Sequence, residues 1–183
     1  MRFYQILQEV QLDVDEVIRA KRFADTVVGT TDYSDSLQTV EEKVRQDHFI
    51  SKLGEEAAKK VLLRYAAVEG PDYAIYEAKA KSWEADLLVN GVEAAVKTQA
   101  QTSAQRYGVS WTFQCGSHRR DTILDKPEAW VIFVLFDDQH PYRFAVYPPF
   151  QIKELVFGEP KLARLKGSKK VVYENTLPIS AAF

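Results

Sequence analysis

The chain has 183 residues, 46% of them apolar and 27% charged, which suits one globular domain and excludes global disorder. Its longest apolar run, Ala129 to Phe136, falls far short of the ~20 residues of a spanning helix. Its single cysteine, Cys115, excludes an internal disulfide framework and a cysteine-rich zinc site. The formal net charge of −2 argues against a polyanion partner. Yet residues 1–93 hold 12 basic and 18 acidic side chains, and residues 94–183 hold 12 and 8. A near-neutral total conceals an acidic half and a basic half. Met1-Arg2-Phe3-Tyr4-Gln5 lacks the basic-then-apolar pattern of a signal peptide, so the expected compartment is the cytoplasm.

In chain order, Ile6, Leu7, Val10, Val14, Val17 and Ile18 recur at helical spacing and predict a helix over Tyr4 to Asp25. A polar link from Gly29 to Ser36 precedes a second predicted helix, Ser36 to Gln46. A third runs from Asp47, a candidate N-cap, to Tyr65; it carries Phe49, Ile50, Leu53, Ala57, Val61 and Leu62 inward, and continuity with the second is left open. Gly54 inside it costs ~1 kcal/mol relative to Ala, a cost that suits close packing. Gly70-Pro71-Asp72 then breaks the chain, and the period changes to two. Strands are predicted over Tyr73 to Lys79, Trp83 to Val89 and Val92 to Gln99. Asn90-Gly91 joins the last two as a two-residue type I′ turn. Residues 100–128 read as polar and irregular, apart from a strand-like piece over Val109 to Gln114. Ala129 to Phe136 has the continuous apolar character of a central strand covered on both faces. Tyr142 to Tyr147 is a further strand, Phe150 to Val156 a short helix, Lys161 to Lys170 a basic stretch, and Val171 to Tyr173 an edge strand.

The hairpin register follows from its turn. Val89 faces Val92, Leu88 faces Glu93, Leu87 faces Ala94, and Asp86 faces Ala95. Side chains alternate along each strand. One face therefore carries Ala85, Leu87, Val89, Val92, Ala94, Val96 and Thr98, and is expected in the core. The other carries Glu84, Asp86, Leu88, Glu93, Ala95, Lys97 and Gln99.

This hairpin resembles the PD-(D/E)XK nuclease superfamily, which includes many type II restriction endonucleases. The motif places an aspartate on one strand, then an acid, any residue and a lysine on the next. Asp86, Val96 and Lys97 match, Leu53-Gly54-Glu55-Glu56 looks like the family's preceding helix, and Ala129 to Phe136 like its following strand. The likeness covers roughly residues 47–137. It implies Mg²⁺ bound by Asp86, an acid at position 95 and the backbone carbonyl of Val96, with Glu55 reaching the metal through water. Lys97 would orient the attacking water and steady the transition state, and Gln99 would contact water or phosphate. One position departs: residue 95 is alanine, which offers no ligand. Three explanations stay open. The acid has migrated to Glu84, Glu93 or Glu55; the site is naturally degenerate; or an original acid was replaced so that DNA is bound without being cut.

The segment after Lys97 is rich in hydrogen-bonding groups. Ser103, Gln105, Arg106, Tyr107, His118, Arg119 and Arg120 are candidate DNA contacts, with Arg119 and Arg120 the preferred phosphate ligands. Arg164, Lys169 and Lys170, within the 161–170 group that also holds Lys161 and Lys166, are candidates for clamping the backbone. Trp111 and Phe113 alternate as core residues do. Zinc fits poorly, because His48, His118 and His140 are far apart in sequence.

The expected fold is mixed α/β: N-terminal helices, then a restriction-endonuclease-like core with a central mixed sheet flanked by helices. The single domain 1–183 divides into an N-terminal helical arm (1–46, a candidate dimerisation element), a nuclease-like core (47–137) and C-terminal strands with the basic segment (138–183). The resemblance implies a Mg²⁺-dependent restriction-type endonuclease acting on double-stranded DNA, a homodimer, in the cytoplasm of a bacterium or archaeon and with no membrane partner. The alternatives are a junction resolvase or repair nuclease of the same superfamily, and a non-catalytic DNA-binding protein on the same fold.

Overall fold

A computed structural model describes residues 2–28, 40–76, 85–117, 120–140 and 142–179. Its elements run β1 (Gln8–Gln11), α1 (Val14–Val27), α2 (Glu41–Leu62), β2 (Val68–Glu69), β3 (Leu87–Val89), β4 (Val92–Ala100), α3 (Gln101–Tyr107), β5 (Ser110–Gln114), β6 (Trp130–Asp137), β7 (Arg143–Val146), β8 (Phe150–Gln151) and β9 (Lys169–Tyr173). The protein is mixed α/β. One curled sheet has the order β1-β7-β6-β4-β3-β2, with β8 also pairing β6. The β4–β6 pair is parallel, and the other pairs in the sheet are antiparallel. A two-stranded ribbon, β5-β9, forms a second layer.

β6 sits at the centre and is covered twice, as its apolar run predicts. Ile132, Val134 and Phe136 join a core with Leu53, Ala57, Val61 and Leu62 of α2. Val131 and Phe133 join a second core with Trp111 and Phe113 of β5, Val172 of β9 and Phe150. Trp111 and Phe113 are core residues, and the indole N–H donates to the Val134 carbonyl at 3.0 Å. Gly54 allows α2 its close approach to the sheet: a Cβ there would lie 1.8 Å from Thr98 Oγ1.

The hairpin has the predicted register, Val89↔Val92, Leu88↔Glu93 and Leu87↔Ala94. Asn90 (φ 49°) and Gly91 (φ 76°) take the left-handed backbone that the turn requires. Leu87, Val89, Ala94 and Val96 are buried as expected, while Val92, at the hairpin tip, is half exposed.

Several predicted boundaries need correction. The chain before α1 is not helical over Tyr4 to Asp13. Gln8–Gln11 pairs with β7 and puts Val10 in the core, whereas Ile6, Leu7 and Val14, which suggest the helical period, lie exposed. α1 begins after Asp13, whose N–H donates to Glu16 Oε2 at 2.6 Å. The described part of the N-terminal arm is therefore not all helical and packs on the core: β1 is an edge strand of the sheet, and Arg19 of α1 pairs with Glu56 of α2 at 2.6 Å. The second and third predicted helices are one helix from Glu41. Asp47 lies inside it, ion-paired to Lys43 one turn back, rather than capping it. The predicted strand over Tyr73 to Lys79 is absent from its described part, 73–76, and the strand before the hairpin is only Leu87–Val89. Residues 77–84, with Glu84, and residues 29–39, which hold the predicted link and the start of the second predicted helix, lie outside the described residues. α3 arises in the stretch read as irregular, because its single buried apolar residue, Ala104, leaves no periodic signal. The helix predicted over Phe150 to Val156 is β8 followed by a 3-10 turn at Ile152–Glu154.

Candidate active site

β4 pairs with β6 over seven residues, Ala94 to Ala100, but with β3 over only three. Beyond Ala94 its β3 side has lost its strand partner. The next backbone donor on that side is Val96 N–H, and it donates to Asp86 Oδ2 at 2.7 Å. A carboxylate thus takes the place of a ladder acceptor. The Val96 carbonyl lies on the same unpaired edge, because N–H and C=O of one strand residue point to the same side. The other Asp86 oxygen has no hydrogen-bond partner among the described residues.

Asp86 is partly buried, and loss of water raises its pKa. The Val96 N–H and the charges of Lys97 and Lys52 pull it back down, while Asp121 adds to the rise. Glu55 arrives from α2 and is 3% exposed. It accepts from Lys52 Nζ at 2.6 Å and from Ser51 Oγ at 3.2 Å. Burial, reinforced by repulsion from Asp86, nevertheless pushes its carboxyl up to about 8. Lys97 Nζ donates to Asp121 Oδ2 at 2.7 Å and lies 5.0 Å from the centre of the Phe113 ring. A small pocket of about 220 Å³ beside these groups is lined by Asp86, Glu93, Ala95, Lys97 and Asp121 among others.

Asp86 and Lys97 also lie at the floor of a cleft of about 1500 Å³. One wall is the N-terminal half of α2, with Lys43, Asp47 and Ser51. The other is the segment from Pro160 to Lys169. That second wall presents Lys161, Arg164, Lys166 and Lys169 and contributes no acid of its own. Among the described residues no carboxylate is within ion-pair distance of Lys161, Arg164 or Lys166.

Of the site residues predicted from sequence, the cleft gathers Asp86, Val96, Lys97, Gln99, Ser103, Tyr107, Arg164 and Lys169. Gln99 is not poised toward a ligand. Its Nε2 donates to the Gly108 carbonyl at 3.1 Å and its Oε1 accepts from Ser110 N–H at 2.8 Å, which fixes the α3–β5 turn. Arg120 forms two hydrogen bonds to Asp125, at 3.0 and 2.6 Å, and does not line the cleft. Gln105, Arg106 and Lys170 are exposed outside it. His118 and Arg119 lie outside the described residues. Of the candidate migrated acids, Glu93 is exposed and paired to Lys126 at 3.0 Å, and Glu55 is buried behind Asp86.

Sequence reasoning missed Lys52 and Asp121, whereas Lys161 and Lys166 of the basic group line the cleft with Arg164. Lys52 carries a usable signal, since its i, i+3 spacing to Glu55 on a predicted helix places the two together. Asp121 carries none, because it meets Lys97 only through the fold. As a donor set for Mg²⁺, the open Asp86 oxygen and the Val96 carbonyl fit. Mg²⁺ commonly uses one or two carboxylates and completes its shell with water and substrate phosphate. Position 95 adds nothing, and among the described residues no group of three His, Cys, Asp or Glu side chains gathers around one point.

No protein-family model matches the chain, and neither does any curated protein or solved structure. No helix among the described residues is long and apolar enough to cross a membrane.

Proposed function

We propose that the protein is a Mg²⁺-dependent endonuclease of the restriction type, acting on double-stranded DNA, with a site weakened at position 95. The observation that carries this reading is the meeting of Asp86 and Lys97 on the floor of a cleft whose wall is basic. Mg²⁺, held by Asp86 and the Val96 carbonyl, would acidify a water and offset charge on the scissile phosphate. The chain's own residues have separable tasks. The Lys161, Arg164 and Lys166 wall binds the phosphate backbone. Lys97, with one of its three N–H donors on Asp121, offers the others to a phosphate oxygen. Glu55, with its carboxyl raised to about 8, limits the negative charge behind Asp86 at neutral pH.

A second reading, a DNA-binding protein without catalysis, is favoured by one observation. Ala95 supplies no ligand, and its methyl group packs with the second core. Both readings require DNA binding. Fluorescence anisotropy with a labelled duplex should therefore give an affinity that falls steeply with salt. Replacing Arg164 and Lys166 by Ala should reduce the slope of log K against log salt by about 1 for each phosphate left without its cation. Absence of binding at low salt overturns both. Mg²⁺-dependent cleavage separates them, with Ala95→Glu as the decisive variant. The 220 Å³ pocket lined by Ala95 gives a carboxylate side chain room beside Asp86.

A further inference from the structure

Lys97 is a cation with its side chain only 25% exposed, on a strand whose neighbouring site position is alanine. A carboxylate at residue 95 would share its face and stand two residues away, roughly 6.6 Å along the strand. The carboxylate that Lys97 meets directly is Asp121, in the segment after β5, at 2.7 Å.

Asp121 is held from two directions. Its backbone N–H donates to the Gln114 carbonyl at 3.0 Å, and its Oδ2 accepts from Gln114 N–H at 3.1 Å as well as from Lys97 Nζ at 2.7 Å. The carboxylate is thus anchored to the end of β5 before it meets the lysine. The Phe113 ring, 5.0 Å from the ammonium, forms another side of the socket. The same pocket places Asp121, Ala95 and Asp86 around Lys97.

We propose that Asp121 is the positioning residue for Lys97, holding its ammonium from outside the strand. This rests on the nuclease reading of the site. Asp121 acts through Lys97: it fixes one N–H donor and thereby directs the remaining two. A residue that merely braced the chain would instead act through the Gln114 N–H, independently of the lysine.

Two measurements on the full chain separate these roles. The first needs no activity: the ¹⁵N signal of the Lys97 ammonium. It should be slowly exchanging in the unaltered protein, broadened in Asp121→Asn and restored in Asp121→Glu. An unchanged signal in Asp121→Asn overturns the proposal. Should Asp121→Asn fail to fold, Lys97→Met reads the pair from the other side. The Asp121 carboxyl ¹³C signal should then move, and an unmoved carboxyl signal overturns the proposal. The second measurement is Mg²⁺-dependent plasmid cleavage in the Ala95→Glu background. There Asp121→Asn should lower kcat about tenfold or more with KM little changed, and should add almost nothing once Lys97→Met is present. Equal losses with and without Lys97→Met overturn the proposal. If no variant cuts DNA, the nuclease reading fails, and the ammonium signal alone decides the role of Asp121.

Discussion

The two sides of β4 differ in a way that explains where the candidate site lies. Toward β6 the ladder is complete, and Val131 to Val134 of β6 are buried on both faces of the sheet. Toward β3 it stops after Ala94, and a carboxylate, Asp86, takes the next N–H. A finished ladder satisfies its backbone and presents only side chains. A broken one leaves a carbonyl and a charged acceptor side by side at the floor of a cleft. The proposed chemistry belongs to the side where pairing ends.

The largest expected effect lies on the finished side. Phe133 is fully buried and stacks with Trp111 at 4.5 Å between ring centroids. Phe133→Ala should cost about 3–5 kcal/mol in urea unfolding. Gly54→Ala tests the contact between α2 and the strand itself. Its Cβ would overlap Thr98, so a loss of about 1–3 kcal/mol is expected from overpacking. A neutral result in either would show that β4 is less firmly held than its packing implies.

On the broken side the expected effects are smaller and depend on chemistry. Asp86→Ala leaves Val96 N–H without an acceptor, whereas Asp86→Asn keeps an oxygen there. The asparagine variant should therefore be the more stable of the two, by about 1–3 kcal/mol. Equal stability would mean that water replaces the carboxylate freely.

The Glu55 carboxyl gives this side a pH dependence. Its folded pKa, about 8, lies above the ordinary carboxylate value near 4.5. Between these values the unfolded chain has released the proton and the folded chain still holds it. Stability from this group therefore declines as pH rises from about 4.5 to 8. Urea midpoints measured in EDTA should fall across that window, and Glu55→Gln should flatten the fall. A midpoint that rises instead, or a slope unchanged in Glu55→Gln, contradicts the assignment. The smallest effect should be that of Arg120→Ala on duplex affinity, since its guanidinium is already bound to Asp125 away from the cleft.

The same contrast governs what is legible in the sequence. Local rules suffice where one turn or one run decides the structure. Asn90-Gly91 sets the hairpin register, and the unbroken apolar run of β6 marks a strand covered twice. They fail where a contact spans the chain. Asp121 meets Lys97 across 24 residues, and neither carries a spacing signal for the other. Gln99 reads as available because its partners, Gly108 and Ser110, come near only when α3 forms. β1 reads as helix because residues that never enter the core happen to repeat at helical spacing. The −6 and +4 halves of the chain acquire a physical meaning in the fold. Asp86 lies at the floor of a cleft whose basic wall comes from the second half.

We propose that Asp86 and Lys97 form a nuclease-type site lacking only an acid at position 95. Plasmid cleavage with Mg²⁺, comparing the chain as it is with Ala95→Glu and with Ala95→Glu combined with Lys97→Met, tests it most directly. Ala95→Glu alone should cut strongly, and replacing Lys97 as well should lower the rate by orders of magnitude. An Ala95→Glu protein that is folded, binds duplex DNA and leaves it uncut would contradict it.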